Sequence, residues 1–190
     1  MQEEWKKMDL TEKTLETREI FSGRIIKVRV DTVCLPDGQE STREVVEHAG
    51  AVAVVALDGD NNIIMVRQYR KPVEMVLTEI PAGTMEKDED PLLCAKRELR
   101  EETGFSADHW YKILSYYSAP GFTDECLHLY LATGLTDGEI DLDEDEFVET
   151  VHLPLKEAWR MIFAGKIVDG KSIIGIQYAM GRESNNTFSA

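Results

Sequence analysis

Residues 83–105 read GTMEKDEDPLLCAKRELREETGF, and three glutamates near the end of this stretch are the first sign of chemistry. On a helix Glu98 and Glu102 stand at i and i+4, and Glu98 and Glu101 at i and i+3, so the three carboxylates share one side. Alone, that cluster is unfavourable. Like charges at this spacing repel by roughly 0.2–0.5 kcal/mol per pair. The last turn of a helix also carries the negative end of its dipole. A divalent cation reverses both penalties. Hard cations such as Mg2+ take oxygen ligands and often complete their shell with phosphate oxygens. The stretch therefore predicts a metal and phosphate site.

The elements that must position these carboxylates follow from local signals. Asp90 before Pro91 is a cap followed by a first helical residue. Gly104 suits the left-handed position beyond a helix end. A helix over 91–103 is expected, with Leu92, Ala95 and Leu99 on its apolar side. Upstream, the continuous apolar run 51–57 predicts a strand covered on both faces. Strands are also expected over 63–69, 76–80, 110–118, 126–133 and 147–153, with helices over 154–163 and 172–180. Irregular alternation of strands and helices predicts an α/β protein with a mixed sheet between helices. Before it, residues 19–33 read as a strand pair, Pro36-Asp37-Gly38 as a turn and 42–48 as a returning strand. Residues 1–18 read as a frayed helix or an extended arm. The expected division is a small N-terminal antiparallel sheet, 1–47, and a main domain, 48–190. So few strands cannot close a core alone, so the N-terminal sheet is expected to pack on something, a second subunit included.

Composition narrows the class. The chain has 190 residues, 43% apolar and 30% charged, as in globular rather than disordered proteins. A formal net charge of −15 repels nucleic acid and anionic membrane at long range. Metals and a few placed arginines can still give such a protein a local site for phosphate. Cys34, Cys94 and Cys126 are odd in number and lack metal-site spacing, which reads as reduced thiols in a cytoplasmic protein. No run of residues is apolar and long enough for a membrane span, and the first ten show no signal core.

Written with its spacing, the stretch is Gly83, Glu89, Arg97-Glu98-Leu99, Glu101-Glu102 and Gly104-Phe105. It resembles the Nudix box at every defining position, a far more specific pattern than an acidic helix with a glycine stop. The resemblance implies the Nudix fold, an α/β/α sandwich, and hydrolysis of a nucleoside diphosphate linked to another group. It implies that Glu98 and Glu102 are principal metal ligands, that Glu101 shares a metal or acts through water, and that the Ala82 carbonyl completes the site. Arg97 would orient the carboxylates through ion pairs, with Glu89 as a partner. The implied cofactor is Mg2+, for which Mn2+ or another divalent ion can substitute.

Glu79-Ile80-Pro81-Ala82-Gly83 ahead of the box, Pro120-Gly121 sixteen residues beyond Gly104, and the N-terminal strands together resemble the ADP-ribose pyrophosphatase subgroup. That resemblance implies conversion of ADP-ribose and water to AMP and ribose 5-phosphate, by a homodimer built through the N-terminal sheet. It places the general base in the acidic loop 143–149, at Glu144 or Glu146. Arg43, Arg70, Pro120, Gly121 and Glu125 are the implied substrate contacts. Ile25 stands where the subgroup stacks adenine on an aromatic ring, so base recognition departs from the pattern. Two alternatives remain: hydrolysis of another sugar nucleotide or an oxidised nucleotide, and a non-catalytic nucleotide sensor. The presence of all three box glutamates weighs against the sensor.

Overall fold

The computed structural model describes residues 9–142 and 147–184. The chain divides into two compact units, one comprising 1–49 with 117–125, the other 50–116 with 126–190.

In the first unit, β1 (Lys13–Ser22), β2 (Ile26–Cys34) and β3 (Glu40–His48) form an antiparallel sheet in the order β1-β2-β3. Segment 117–125 joins it through β3: the Val46 N–H donates to the Phe122 carbonyl at 2.8 Å, and the Asp124 N–H to the Val46 carbonyl. β1 begins at Lys13, inside the region read as a helix or an arm. Every residue of β1 is exposed. Leu15, Ile20 and Phe21 are each about half exposed, whereas Val33 is buried. The unit thus has little core of its own.

The second unit holds the main core. Its strands are β4 (Ala51–Leu57), β5 (Asn62–Arg70), β6 (Met75–Glu79), β7 (Ala82–Thr84), β8 (Ser106–Tyr117), β9 (Cys126–Thr136) and β10 (Val148–Pro154). Its helices are α1 (Pro91–Thr103), α2 (Leu155–Phe163) and α3 (Gly170–Ser184). The strand order is β10-β5-β4-β9-β8, with β6 paired to β5 and β7 to β4. β4 runs parallel to β9 and antiparallel to β5 and β7, so the sheet is mixed.

β4 explains the layering. Successive side chains of a strand point to opposite faces. Ala53 and Val55 pack with Leu155 and Ala158 of α2 and Ile176 and Ala179 of α3. Val52, Val54 and Ala56 pack with Cys94, Ala95 and Leu99 of α1. Helices therefore cover both faces, as a continuous apolar strand requires. The fold is the α/β/α sandwich that the Nudix resemblance implies, with a separate three-stranded sheet. Gly175 lets α3 approach closely, since a Cβ there would lie 2.7 Å from Val55 Cγ2.

α1 forms where its end signals place it. The Asp90 side chain accepts from the N–H groups of Leu92 and Leu93, and Pro91 occupies the first turn. Gly104 has φ 77° and returns its N–H to the Arg100 carbonyl. The three-residue strand β7, which no periodicity in the sequence marks, pairs with the N-terminal half of β4 and carries residues 82–84.

Candidate active site

The β7 residues Ala82 and Gly83 and the α1 residues Glu98 and Glu102 form the centre of the candidate site. The Ala82 N–H donates to Glu102 Oε2 at 3.0 Å. Glu102 is 3% exposed, a low value for a carboxylate. The Glu98 carboxylate lies directly on Gly83. A Cβ at residue 83 would stand 1.9 Å from Glu98 Cδ and 2.0 and 2.2 Å from its oxygens. Glycine is needed here for space, since only its missing side chain lets the carboxylate rest against the backbone.

Arg97 binds the cluster from the other side. Its Nε and Nη2 donate to the two oxygens of Glu89, each at 3.1 Å. Its Nη1 donates to Glu98 at 2.8 Å and to Glu101 at 3.0 Å. These bonds, the Glu89 pair first, raise Arg97 above its usual pKa. The same Arg97 bonds hold the Glu89 carboxyl down to about 2. Burial, then a hydrogen bond with Glu89, pushes the neighbouring Cys94 thiol up to about 12, so this cysteine is protonated and inert.

A second network holds Arg70. Its guanidinium donates to both oxygens of Glu79 at 2.9 Å, a bidentate pair. Glu79 is buried and also bonds Lys171. Burial pushes the Glu79 carboxyl up, but its bonds to Arg70 and Lys171 outweigh that and leave it below the usual range. Lys171 pairs with Asp169 at 3.1 Å. Asp169 in turn accepts from Ser172, whose hydroxyl accepts from the Ile80 N–H at 2.8 Å. Arg70 feels the charge of Glu102 as well, which places it in electrostatic reach of the cluster. Glu79 belongs to the motif ahead of the box, yet nothing local marks Lys171, Asp169 or Ser172 as its supports.

The remaining candidates sit in the first unit or outside the described residues. Arg43 forms a two-pronged pair with Glu12 at 2.8 and 2.5 Å. With Glu12, Tyr117, Pro120, Gly121 and Phe122 it lines a cavity of about 470 Å3. Glu125 lies 3.7 Å from His48. Ile25 and Phe21 are both exposed. Glu144 and Glu146 lie outside the described residues.

The residue types around Ala82-Gly83 suit a hard cation, which takes carboxylate oxygens such as those of Glu98, Glu101 and Glu102. Among the described residues no three acidic, thiol or imidazole groups converge on one point. The Arg97 guanidinium supplies a positive charge shared by Glu98 and Glu101. Space on Gly83 for one carboxylate, beside a backbone bond to another, fits an ion seated against β7.

With that geometry in view, the comparison with known proteins is specific. The Nudix domain family model matches residues 47–173, and the chain belongs to the Nudix family as a Nudix pyrophosphohydrolase. Ahead of it, the model of the nucleoside diphosphate sugar hydrolase N-terminal domain matches residues 12–46. The chain is 50% identical over 175 residues to the methanol dehydrogenase activator of Bacillus methanolicus, covering 91% of this chain and 95% of that one. It is 45% identical over 177 residues to the ADP-ribose pyrophosphatase of Bacillus subtilis, covering 92% and 96%. A crystal structure of an ADP compounds hydrolase superposes with TM-score 0.83 at 19% identity, over 96% of this chain and all of that one, a likeness of fold. Nudix hydrolases generally use divalent metal ions.

Proposed function

We propose that this protein hydrolyses the pyrophosphate of a nucleoside diphosphate sugar, with ADP-ribose as substrate and AMP and ribose 5-phosphate as products. The observation that carries the reading is the seating of Glu98 on Gly83 beside the bond from Ala82 to Glu102. Two acidic side chains gathered on consecutive β7 residues suit phosphate chemistry through a bound cation. The likeness to the Bacillus subtilis enzyme supports the choice of ADP-ribose.

In this reading Glu98, Glu101, Glu102 and the Ala82 carbonyl hold Mg2+, which Mn2+ can replace. When bound, the ion neutralises phosphate oxygens and lowers the pKa of a water. The protein's own residues do the rest. Arg97 orients Glu98 and Glu101, and Glu89 holds Arg97 in turn. Glu144 or Glu146 takes the proton from the attacking water as general base. Arg70, held by Glu79, offers its guanidinium edge to the diphosphate. Arg43, Pro120, Gly121 and Glu125 contact substrate. The exposed Leu15, Ile20 and Phe21 of β1 support a homodimer formed through the N-terminal sheet, in the cytoplasm.

The test is a substrate panel with Mg2+, comprising ADP-ribose, GDP-mannose and ATP, with products separated by anion exchange. AMP and ribose 5-phosphate should appear in equal amounts from ADP-ribose. Cleavage of ATP with ADP-ribose left intact refutes the reading.

A second reading has its own support in the 50% identity to a methanol dehydrogenase activator. Here the protein raises the activity of a methanol dehydrogenase, as the name of that relative states for it. A rise in dehydrogenase turnover on addition of the native protein, absent with Glu98→Gln, distinguishes it.

A further inference from the structure

α1 has a second charged arrangement besides its carboxylates. With the start of β8 it lines a groove of about 510 Å3 whose walls are Lys96, Arg97, Arg100, Ser106, Ala107 and Trp110. Three of the six are cationic and none is acidic, in a chain of formal net charge −15. Lys96 and Arg100 are exposed and stand at i and i+4, a like-charge pair that weakens a helix. Among the described residues Lys96 has no ion pair, and Arg100 reaches only Glu101, at 3.7 Å. Trp110 forms the facing wall. Its Nε1–H donates to the Ala107 carbonyl at 3.0 Å, so its polar edge is satisfied, and its half-buried ring packs partly against the core while also lining the groove.

We infer that this groove binds a small phosphate monoester carrying a planar ring, with the phosphate on Lys96 and Arg100 and the ring on Trp110. A nucleoside monophosphate is one member of that class. Two cations one helical turn apart suit the separated oxygens of a dianion. Arg97 is the wall shared with the carboxylate cluster, since the same guanidinium holds Glu98 and Glu101. A dianion in the groove competes for Arg97, loosens those two carboxylates and slows turnover. This coupling rests on the hydrolase reading above; the binding does not.

Binding is read from Trp110 fluorescence with chelator present, in a background carrying Trp5→Phe and Trp159→Phe, which removes the other two tryptophans. The ligands are AMP, ribose 5-phosphate and inorganic phosphate. AMP should quench Trp110 to saturation, and more tightly than the two phosphates without a base. Lys96→Gln with Arg100→Gln should weaken AMP at least tenfold, while turnover in the absence of product stays within about twofold of native. Ser106→Glu adds a carboxylate to the groove without altering α1 and should weaken AMP as well. In kinetics, added AMP should lower kcat in the native protein and raise only KM in the Lys96→Gln, Arg100→Gln variant. Identical titrations in native protein and both variants overturn the site, and equal affinity for AMP and inorganic phosphate overturns the role of Trp110. Inhibition of the native protein through KM alone overturns the coupling. A protein that binds AMP in the groove but hydrolyses no nucleotide overturns the proposed function and leaves the groove standing.

Discussion

Gly83→Ala separates catalytic geometry from stability in one substitution. The new methyl would sit 1.9 Å from Glu98 Cδ. Carbon atoms in contact stand about 3.5–4.0 Å apart, so the carboxylate must retreat by roughly 1.5 Å. A misplacement of about 1 Å at a reacting centre costs on the order of 100-fold in rate, so kcat should fall at least that far. Stability should barely change. The backbone at residue 83 is not in the left-handed region, and the clashing atoms end a flexible side chain, so the fold should stay within about 1 kcal/mol of native. The assay pairs steady-state hydrolysis of ADP-ribose under saturating Mg2+ with urea unfolding. A double variant adds a control: after Glu98→Gln has abolished the function of that side chain, Gly83→Ala should cost little more. Turnover within threefold of native, or fully additive losses, would refute the claim that Gly83 exists to seat a working carboxylate.

Three more outcomes follow from the same contacts. Gly104→Ala places a side chain at φ 77° and a Cβ 2.7 Å from the Gly138 carbonyl oxygen, so it should lower unfolding free energy by about 1–3 kcal/mol in urea titrations. Glu79→Ala removes the buried carboxylate that holds Arg70, while Lys171 keeps Asp169, and should cost about 1.5–3 kcal/mol by the same measurement. Glu89 is depressed from 4.5 to about 2, so the folded protein binds fewer protons than the unfolded chain in that window. Its contribution is complete above pH 4.5 and lost as pH falls toward about 2; the stability gap between native and Glu89→Gln, up to about 2 kcal/mol after solvent screening, should close over that interval in acid unfolding curves.

Much of the candidate site is legible in the sequence because its signals are local. Asp90-Pro91 and Gly104 mark the ends of α1 through backbone groups a few residues away. The helical repeat then puts Glu98, Glu101 and Glu102 on one side without reference to the rest of the fold. The apolar run of β4 likewise announces a strand covered on both faces. β7 is different. Three residues carry no periodicity, and its extended form comes from pairing with β4, thirty residues upstream in the chain.

The charge partners are likewise decided by the tertiary structure. A sequence shows that Arg70 and Glu79 are present, but only the β5–β6 pairing brings them together, and only α3 brings Lys171 across a separation of 92 residues. Arg70 therefore looks like an unencumbered phosphate ligand in the sequence and proves to be held by a buried carboxylate. Gly83 is the sharpest case. Its place in the motif is visible in one dimension, but the reason for it, a carboxylate from α1 resting on its Cα, exists only when β7 and α1 are packed together. Side-chain type and helical spacing travel with the chain; the distances that let carboxylates act together are set by which distant segments share a surface.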